Sequence, residues 1–580
     1  MKIFFEATPY HINTIKRYLG DKHSNSLVKH GSDNNSYTIS GVGYCLDCTN
    51  LEHVFVLPKN FVMNGKGFGC IDLSQSSPIE DNEYFDSIIT TYGWERDILT
   101  KLPIYIYHAL DKYRRQLPSQ TIIESDETIN VYSSKSGKSE TTLLDITLSL
   151  QKFYSENQNL FVMIYKQSHS GYNKVKWDKT VAKELPIIVG DNIIYPYIIN
   201  RKKEINFEEE LLVIFFNTLR YINNTFHFNI PIEQPYQLGR EVEFSHKMSR
   251  GIILKRLKAI KNNYFNEKLI KLWHLLYLFN SKLLSIQKSS YNSDYLFVRH
   301  FEQAFEKMID TIISDSDSPN ILINQADGKQ VDHLFKGKSV VSNDLDIYYI
   351  GDSKYYATEK RPQYEALFKQ YTYAKNIIQT EIDWLNNDSH TCLKYRDSIT
   401  EGYNITPNFF ISGRILPEWN YSDDHLTSIP HAFQKSIHYP NRIFDRDTLF
   451  LMQYDINILF IINLYVSRCE KQRQLFKNKL KISLRKEFTR LLNSKYDFYL
   501  ITPQNTEGTD TLLNNFFRIL NGKIFSPYDR NDSRFGKFIL GLEKVFKQEN
   551  VELINSIQPF FDIKKYSLGE EPSDTTNCTT

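Results

Sequence analysis

Gln330-Val-Asp332-His-Leu-Phe335, a polar gap, and Asp346-Ile-Tyr-Tyr-Ile-Gly-Asp352-Ser-Lys354-Tyr-Tyr356 form the stretch on which the reading of this chain turns. Each half is a short β-branched and aromatic run with an acid near one end, and the second half adds a lysine two positions after its acid. Residues i and i+2 of a strand face the same side. Strands at about 330–335 and 346–352, joined by a hairpin, therefore bring Asp332, Asp352 and Lys354 to one strand edge. Asp-x-Lys alone carries little weight, since Asp327-Gly-Lys329 and Asp562-Ile-Lys564 share it. Context separates the three: only Asp352 ends an apolar strand with a second acid, Asp332, on the strand before it.

Composition sets the frame. At 580 residues the chain exceeds one ordinary core. Apolar content of 41% and charge of 24% are those of a globular protein, while 14% aromatic residues favour strands and packed interfaces. The expected class is α/β (α+β) and multidomain. A net charge of +2 gives no global nucleic-acid signature, so any DNA-binding surface must be a local patch. Six cysteines are too few for a disulfide framework. Met1 is not followed by a basic and then an apolar leader, and the runs Leu211–Phe216 and Ile458–Val466 fall far short of the roughly 18–20 residues of a membrane span. The expectation is a reduced, cytoplasmic protein.

Spacing divides the chain further. Short strands broken by turns are expected over residues 1–75 (Lys2–Phe5, Tyr37–Ile39, Val54–Leu57), with a tight turn at Gly65–Gly69. Helices are expected at Ala109–Leu117, Glu208–Phe226, Asn266–Leu284, Leu296–Ile313, from Pro362 to about Gln379, and at Lys471–Asn493. Asn408–Ser412 reads as a buried strand and Asp497–Thr502 as the last one. Residues 118–142 read as an exposed loop and 568–580 as a disordered tail. The expected division is a β-rich region over 1–230, a helical connector over 231–290, the acid-bearing domain over 291–505 and a helical extension over 506–567.

The chemistry of the trio is that of phosphodiester hydrolysis. Mg²⁺ binds through one or two carboxylates and keeps several waters. It neutralises charge on phosphoryl oxygens and lowers the pKa of a bound water, and a lysine positions that water or counters the charge that develops. These residues resemble the PD-(D/E)xK nuclease superfamily, and more closely the McrC-like nuclease subunits of GTP-dependent restriction systems, the LlaJI type in particular. Four segments carry the resemblance: Phe301-Glu302-Gln-Ala-Phe305-Glu306, Val331-Asp332 where the family has Pro-Asp, Asp352-Ser-Lys354-Tyr, and Gln370-Tyr-Thr-Tyr373-Ala. Cys48–Lys59 and Asp445–Asn457 resemble parts of LlaJI-type chains more loosely.

The resemblance implies a restriction-endonuclease-like core, a mixed sheet flanked by helices. It implies Asp332 and Asp352 as ligands of Mg²⁺, with Mn²⁺ as a substitute, Lys354 as the charge-stabilising group, and Gln370 as a further site residue. It also implies a helix acid as an outer metal ligand. Position after the aromatic favours Glu302, and Glu306, four residues on, shares its helix face. Double-stranded DNA is the implied substrate, cleaved in concert with a separate AAA+ GTPase of the McrB kind on which the 1–230 region would dock. Two alternatives belong to other classes: a non-catalytic adaptor that recruits a motor or DNA, and a stand-alone RecB-like repair exonuclease.

Other features carry less. Gly137-Lys138-Ser139 ends like a P-loop, but Tyr132 stands where the first glycine is needed, so no nucleotide is expected on this chain. Cys45, Cys48, His53 and Cys70 supply half the spacing of a zinc site and are read as packing residues. Basic clusters at Arg240–Lys261 and Lys471–Arg490 are candidate phosphate contacts, each weighed against being the wet face of a helix.

Overall fold

The aromatic and β-branched runs near the start of the chain pair with one another. Lys2–Phe5 (β1), Val42–Asp47 (β2) and Glu52–Leu57 (β3) lie side by side, β1 parallel to β3 and β3 antiparallel to β2. The computed structural model describes residues 1–569 except 21–26, 31–35, 48–50, 74–76, 118–130, 134–140, 169–174, 205–208, 234–235, 289–293, 357–363, 387–392, 416–419, 430–433, 437–438, 505–508 and positions 95, 163, 227, 229, 265, 316, 326, 425, 468 and 531. Pro362, Cys48, Gly137-Lys138-Ser139 and most of the loop expected at 118–142 thus lie outside the described residues.

The helix expected over Leu296–Ile313 begins only at Phe301. Tyr295–Val298 (β4) is instead a buried strand antiparallel to β2. The run Tyr-Leu-Phe-Val is β-prone, and its partner lies far earlier in the chain, where no local periodicity points to it. With Ile79–Glu80 outside β1 and Val131–Ser133 outside β4, this sheet has six strands. Helices cover it: Arg96–Gln116, Leu143–Glu156, Glu210–Phe226 and Glu267–Lys288.

A second mixed sheet follows. Phe301–Ile313 (α1) leads to the antiparallel pair His333–Lys338 (β5) and Asp346–Lys354 (β6). Tyr364–Asn386 (α2) then crosses over to Pro407–Arg414 (β7), parallel to β6, and Leu449–Asn457 (β8) lies parallel to β7. Between its ends β6 is buried at every residue, because helices pack on both sides of a strand whose neighbour is parallel. Gly351 is required here: a Cβ at this position would stand 2.4 Å from the Phe409 ring. The long apolar segment 448–467 splits into β8 and a helix, Ile458–Val466 (α3), with Asn457 capping the Leu459 N–H. Glu470–Lys495 (α4) packs against α1.

The helical extension expected over 506–567 holds the helices Thr509–Asn515, Phe517–Leu520 and Lys547–Ile557, but also three strands. Tyr496–Pro503 (β9) is not the last strand; Ile524–Phe525 (β10), Phe538–Glu543 (β11) and Phe561–Tyr566 (β12) join it in an antiparallel sheet of order β10-β11-β9-β12. Its own apolar cluster includes Ile501, Leu540 and Phe561. Leu568, expected in a disordered tail, is buried and donates its N–H to Asn493 Oδ1 at 3.1 Å; residues 570–580 lie outside the described residues. The first two sheets share one continuous core. The chain is thus a mixed α/β protein with several sheets, and no described helix is long and apolar enough to cross a membrane.

One feature of α2 has a measurable cost. Glu381 is fully buried, neither carboxyl oxygen has a hydrogen-bond partner, and burial pushes its pKa up to about 7. The folded pKa lies above the unfolded one, so the group's stabilising contribution is complete below about pH 4.5 and is lost as pH rises through about 7. Glu381→Gln should therefore be more stable than the parent at pH 8, by up to about 3 kcal/mol, and little changed at pH 4.5. Urea unfolding at the two pH values checks this; equal gains at both would remove the explanation.

Candidate active site

Asp332 immediately precedes β5. The register pairs His333 with Gly351, so Asp332 stands opposite Asp352 at the open end of the hairpin. The Ser353 N–H donates to Asp332 Oδ2 at 3.3 Å. Asp352 is 3% exposed. Lys354, on the same face of β6, holds its ammonium against the Asp352 carboxylate, 4.9 Å from the centre of the Phe410 ring. The three charged groups chosen from spacing alone do meet.

Their electrostatics are strained. Burial, and next the charge of Asp352, pushes the Asp332 carboxyl well above the usual carboxylate range. Burial and then Asp352 likewise push Glu306 up to about 7, with Lys354, Glu302 and Lys369 acting on it as well. Three acids therefore crowd one place, two of them held back from ionising. Clustered like charges at this burial destabilise a fold, and such perturbation marks functional sites more often than it marks structural ones.

The helix acid differs from the first choice. Glu302 turns to His300, accepting at 2.9 Å from Nδ1, with its side chain 43% exposed. Glu306, one turn further along α1, is the acid that feels Asp352 and Lys354. The helix rotation explains the difference: Phe301 and Phe305 pack on Tyr355, which fixes the face that α1 presents. Gln370 is buried and donates Nε2–H to the Ile350 carbonyl at 3.0 Å, while its Oε1 has no partner. It steadies the main chain of β6 just before Asp352.

Spacing gave no sign of two further features. Lys369 on α2 is exposed, and both Asp352 and Asp332 act on it to raise its pKa, against the opposing effect of burial and alongside a larger effect from Tyr373. It is a second cation facing the acids, and its place beside Gln370 was the signal available. On the other face of the hairpin, buried His333 shares a 2.5 Å hydrogen bond between Nε2 and Ser353 Oγ, and its Nδ1 lies 3.9 Å from Asp310 Oδ1. Although burial opposes its ionisation, the neighbouring His333 and Ser314 hold the Asp310 carboxyl well below the usual range.

The donor set suits a hard divalent cation. Among the described residues no three acid, histidine or cysteine side chains converge closely enough to hold a metal by themselves. Mg²⁺ needs only one or two carboxylates, with water completing the octahedron, and half-buried Asp332 and buried Asp352 provide two oxygen donors whose mutual repulsion a cation would relieve. Of the residues with half the spacing of a zinc site, Cys45 is buried with its thiol 3.6 Å from the Tyr18 carbonyl and His53 bonds to the Tyr44 hydroxyl at 3.0 Å, while Cys48 lies outside the described residues. Asp344 and Asp346 sit at the far end of the hairpin, paired with Arg534 and with Lys336 and Lys338.

Compared with family models, with curated proteins and with solved structures, the chain finds no match in any of the three.

Proposed function

We propose that this chain is a Mg²⁺-dependent DNA endonuclease subunit with a PD-(D/E)xK core of the McrC-like, LlaJI type. The observation that carries the reading is the meeting of Asp332, Asp352 and Lys354 at one buried hairpin end, with Glu306 crowding them. Asp332 and Asp352 would hold the cation. When bound, the cation supplies charge neutralisation at the scissile phosphate and a more acidic water. Lys354 faces the phosphate as a fixed positive charge once its carboxylate partner turns to the metal. Glu306, with a pKa of about 7, is poised to take a proton at its carboxylate near neutral pH. Supercoiled plasmid incubated with Mg²⁺ or Mn²⁺, with and without a GTPase encoded nearby, tests the reading. Linearisation of closed circles supports it, and an enzyme that degrades only DNA with ends is the exonuclease instead. No cleavage under any of these conditions leaves the adaptor reading.

A second observation supports the partner. Ile187–Val189 and Asn192–Ile194 form an isolated hairpin whose apolar side chains are exposed on both faces, Leu185 at 87% and Ile188 at 71%. Trp177, Val181 and Tyr197 extend the patch. A two-stranded hairpin is marginal alone in water, and an apolar patch of this extent marks a docking surface. We assign it to the GTPase motor. Ile188→Asp with Ile193→Asp should cut motor-stimulated cleavage by at least about tenfold, the scale of losing a hydrophobic anchor, while motor-independent nicking in Mn²⁺ stays as in the parent. Undiminished stimulation would move the docking surface elsewhere.

A further inference from the structure

A broad groove lies toward the end of the β5–β6 hairpin away from Asp332 and Asp352, and its lining carries one sign of charge. It encloses about 910 Å³ between α4, the far end of the β5–β6 hairpin and the segment Ser567–Gly569. Five basic side chains line it: Lys338, Lys481, Arg485, Lys486 and Arg490; no acid does. On α4 the lining residues run from Asn478 through Arg485 to Asn493 at helical spacing, a single stripe about 22 Å long at 1.5 Å per residue. Arg485 is anchored by its Nε–H to the Ser339 carbonyl at 2.9 Å, and no described carboxylate pairs with it or with Lys486. Three of the five are met by acids that do not line the groove: Lys338 by Asp346, Lys481 by Asp315 and Arg490 by Glu487 at 2.9 Å. A second hollow of about 280 Å³ adjoins the groove at Arg485, but there Asp344 joins the lining and pairs with Arg534 at 2.7 Å.

The other basic cluster looks different. Arg256 pairs with Glu210, Lys247 with Glu243 at 2.7 Å, and Lys258 and Lys261 lie over the rings of Tyr277 and Trp273. Internal pairing occurs in both clusters; what sets the groove apart is one helix stripe of cations with no acid in the lining.

We infer that the α4 groove binds the phosphate backbone of a nucleic-acid duplex, as a track separate from the metal-binding pocket. The identity of the ligand rests on the nuclease reading; the groove's charge and shape do not. The Lys481 ammonium donates to the Lys336 carbonyl at 3.2 Å, four residues from Asp332 along the hairpin, which places the nearest cation of the track about 13 Å from the carboxylates. At about 3.4 Å per base pair, a duplex cut at Asp332 and Asp352 is gripped from about four base pairs away onward. Contacts there reach phosphates only, so they add affinity without sequence preference.

The test is fluorescence anisotropy of a labelled 20-base-pair duplex with the full chain in EDTA, where binding is read without cleavage. Arg485→Gln/Lys486→Gln/Arg490→Gln should lower affinity at least about tenfold at 0.1 M salt and reduce the slope of log K against log salt by about 2.7, or 0.9 per lost phosphate contact. Lys486→Gln alone, at an exposed position that cannot unfold the helix, should reduce the slope by about 0.9. Unchanged affinity and slope in both variants overturn the inference. So does poly-glutamate that binds the parent and not the triple variant while duplex affinity is equal in both, which gives the groove to an acidic protein segment. A parent that binds duplex through the groove yet never cuts plasmid sinks the nuclease reading and leaves the groove standing; the converse result sinks the groove alone.

Discussion

Asp352→Asn should reduce plasmid cleavage by at least about 10³-fold, the scale expected when a metal ligand and its charge are lost together. The isosteric amide keeps the shape of a side chain only 3% exposed but removes the charge that holds Lys354 and opposes Asp332. Its thermal stability should equal or exceed the parent's, because the charge that helps hold Asp332 and Glu306 back from ionising is gone. Lys354→Ala should lose activity on the same scale for a different reason and should also be less stable by about 3 kcal/mol, since it strands a buried carboxylate without its cation. The contrast between the two is the informative result. Initial rates on supercoiled DNA, together with unfolding midpoints, measure it; either variant cutting at the parental rate would remove the hairpin end from the chemistry.

Divalent cations should stabilise the parent and not Asp332→Asn. At pH 8 without metal, Asp332 and Glu306 are forced towards ionisation beside the Asp352 carboxylate. A folded pKa above the unfolded one means that the contribution of Asp332 to stability is lost as pH rises through its folded value, so the metal-free protein should weaken from pH 5 to pH 8. A cation bound only by the folded state returns about 2.7 kcal/mol when present at a hundred times its Kd. Asp332→Asn should remove the metal-dependent rise and raise the metal-free stability at pH 8. Differential scanning calorimetry with EDTA or Mn²⁺ at pH 5.5 and 8 reads both effects. A parent indifferent to Mn²⁺ at pH 8, or a variant that still responds, would show that these acids do not hold the ion.

How much of this was legible beforehand follows from the range of each interaction. Asp332, Asp352 and Lys354 meet because two adjacent strands of period two form a hairpin, and both the strands and the short connection are written in neighbouring residues. The strand runs of β1 and β3, the helical runs of α2 and α4, and the turn at Gly65 and Gly69, whose φ angles are +71° and +73°, are local in the same sense, although the pairing of β1 with β3 is not. The sequence also excluded a P-loop and a full cysteine framework without reference to any fold.

What failed to show locally was decided by distant partners. Tyr295–Val298 is a strand because β2 waits for it on the other side of many helices, and 538–543 and 561–566 are strands because β9 lies between them. The choice of Glu306 over Glu302 is a matter of one helical turn, set when Phe301 and Phe305 seat against Tyr355 and His300 takes up Glu302. The acid-free groove needs α4, the end of β5 and the segment after β12 to converge. Local spacing fixes which side of an element a residue lies on, through the steric periods of helix and strand; which sides come to face each other depends on how apolar surfaces from all along the chain are buried together, and that is settled only in three dimensions.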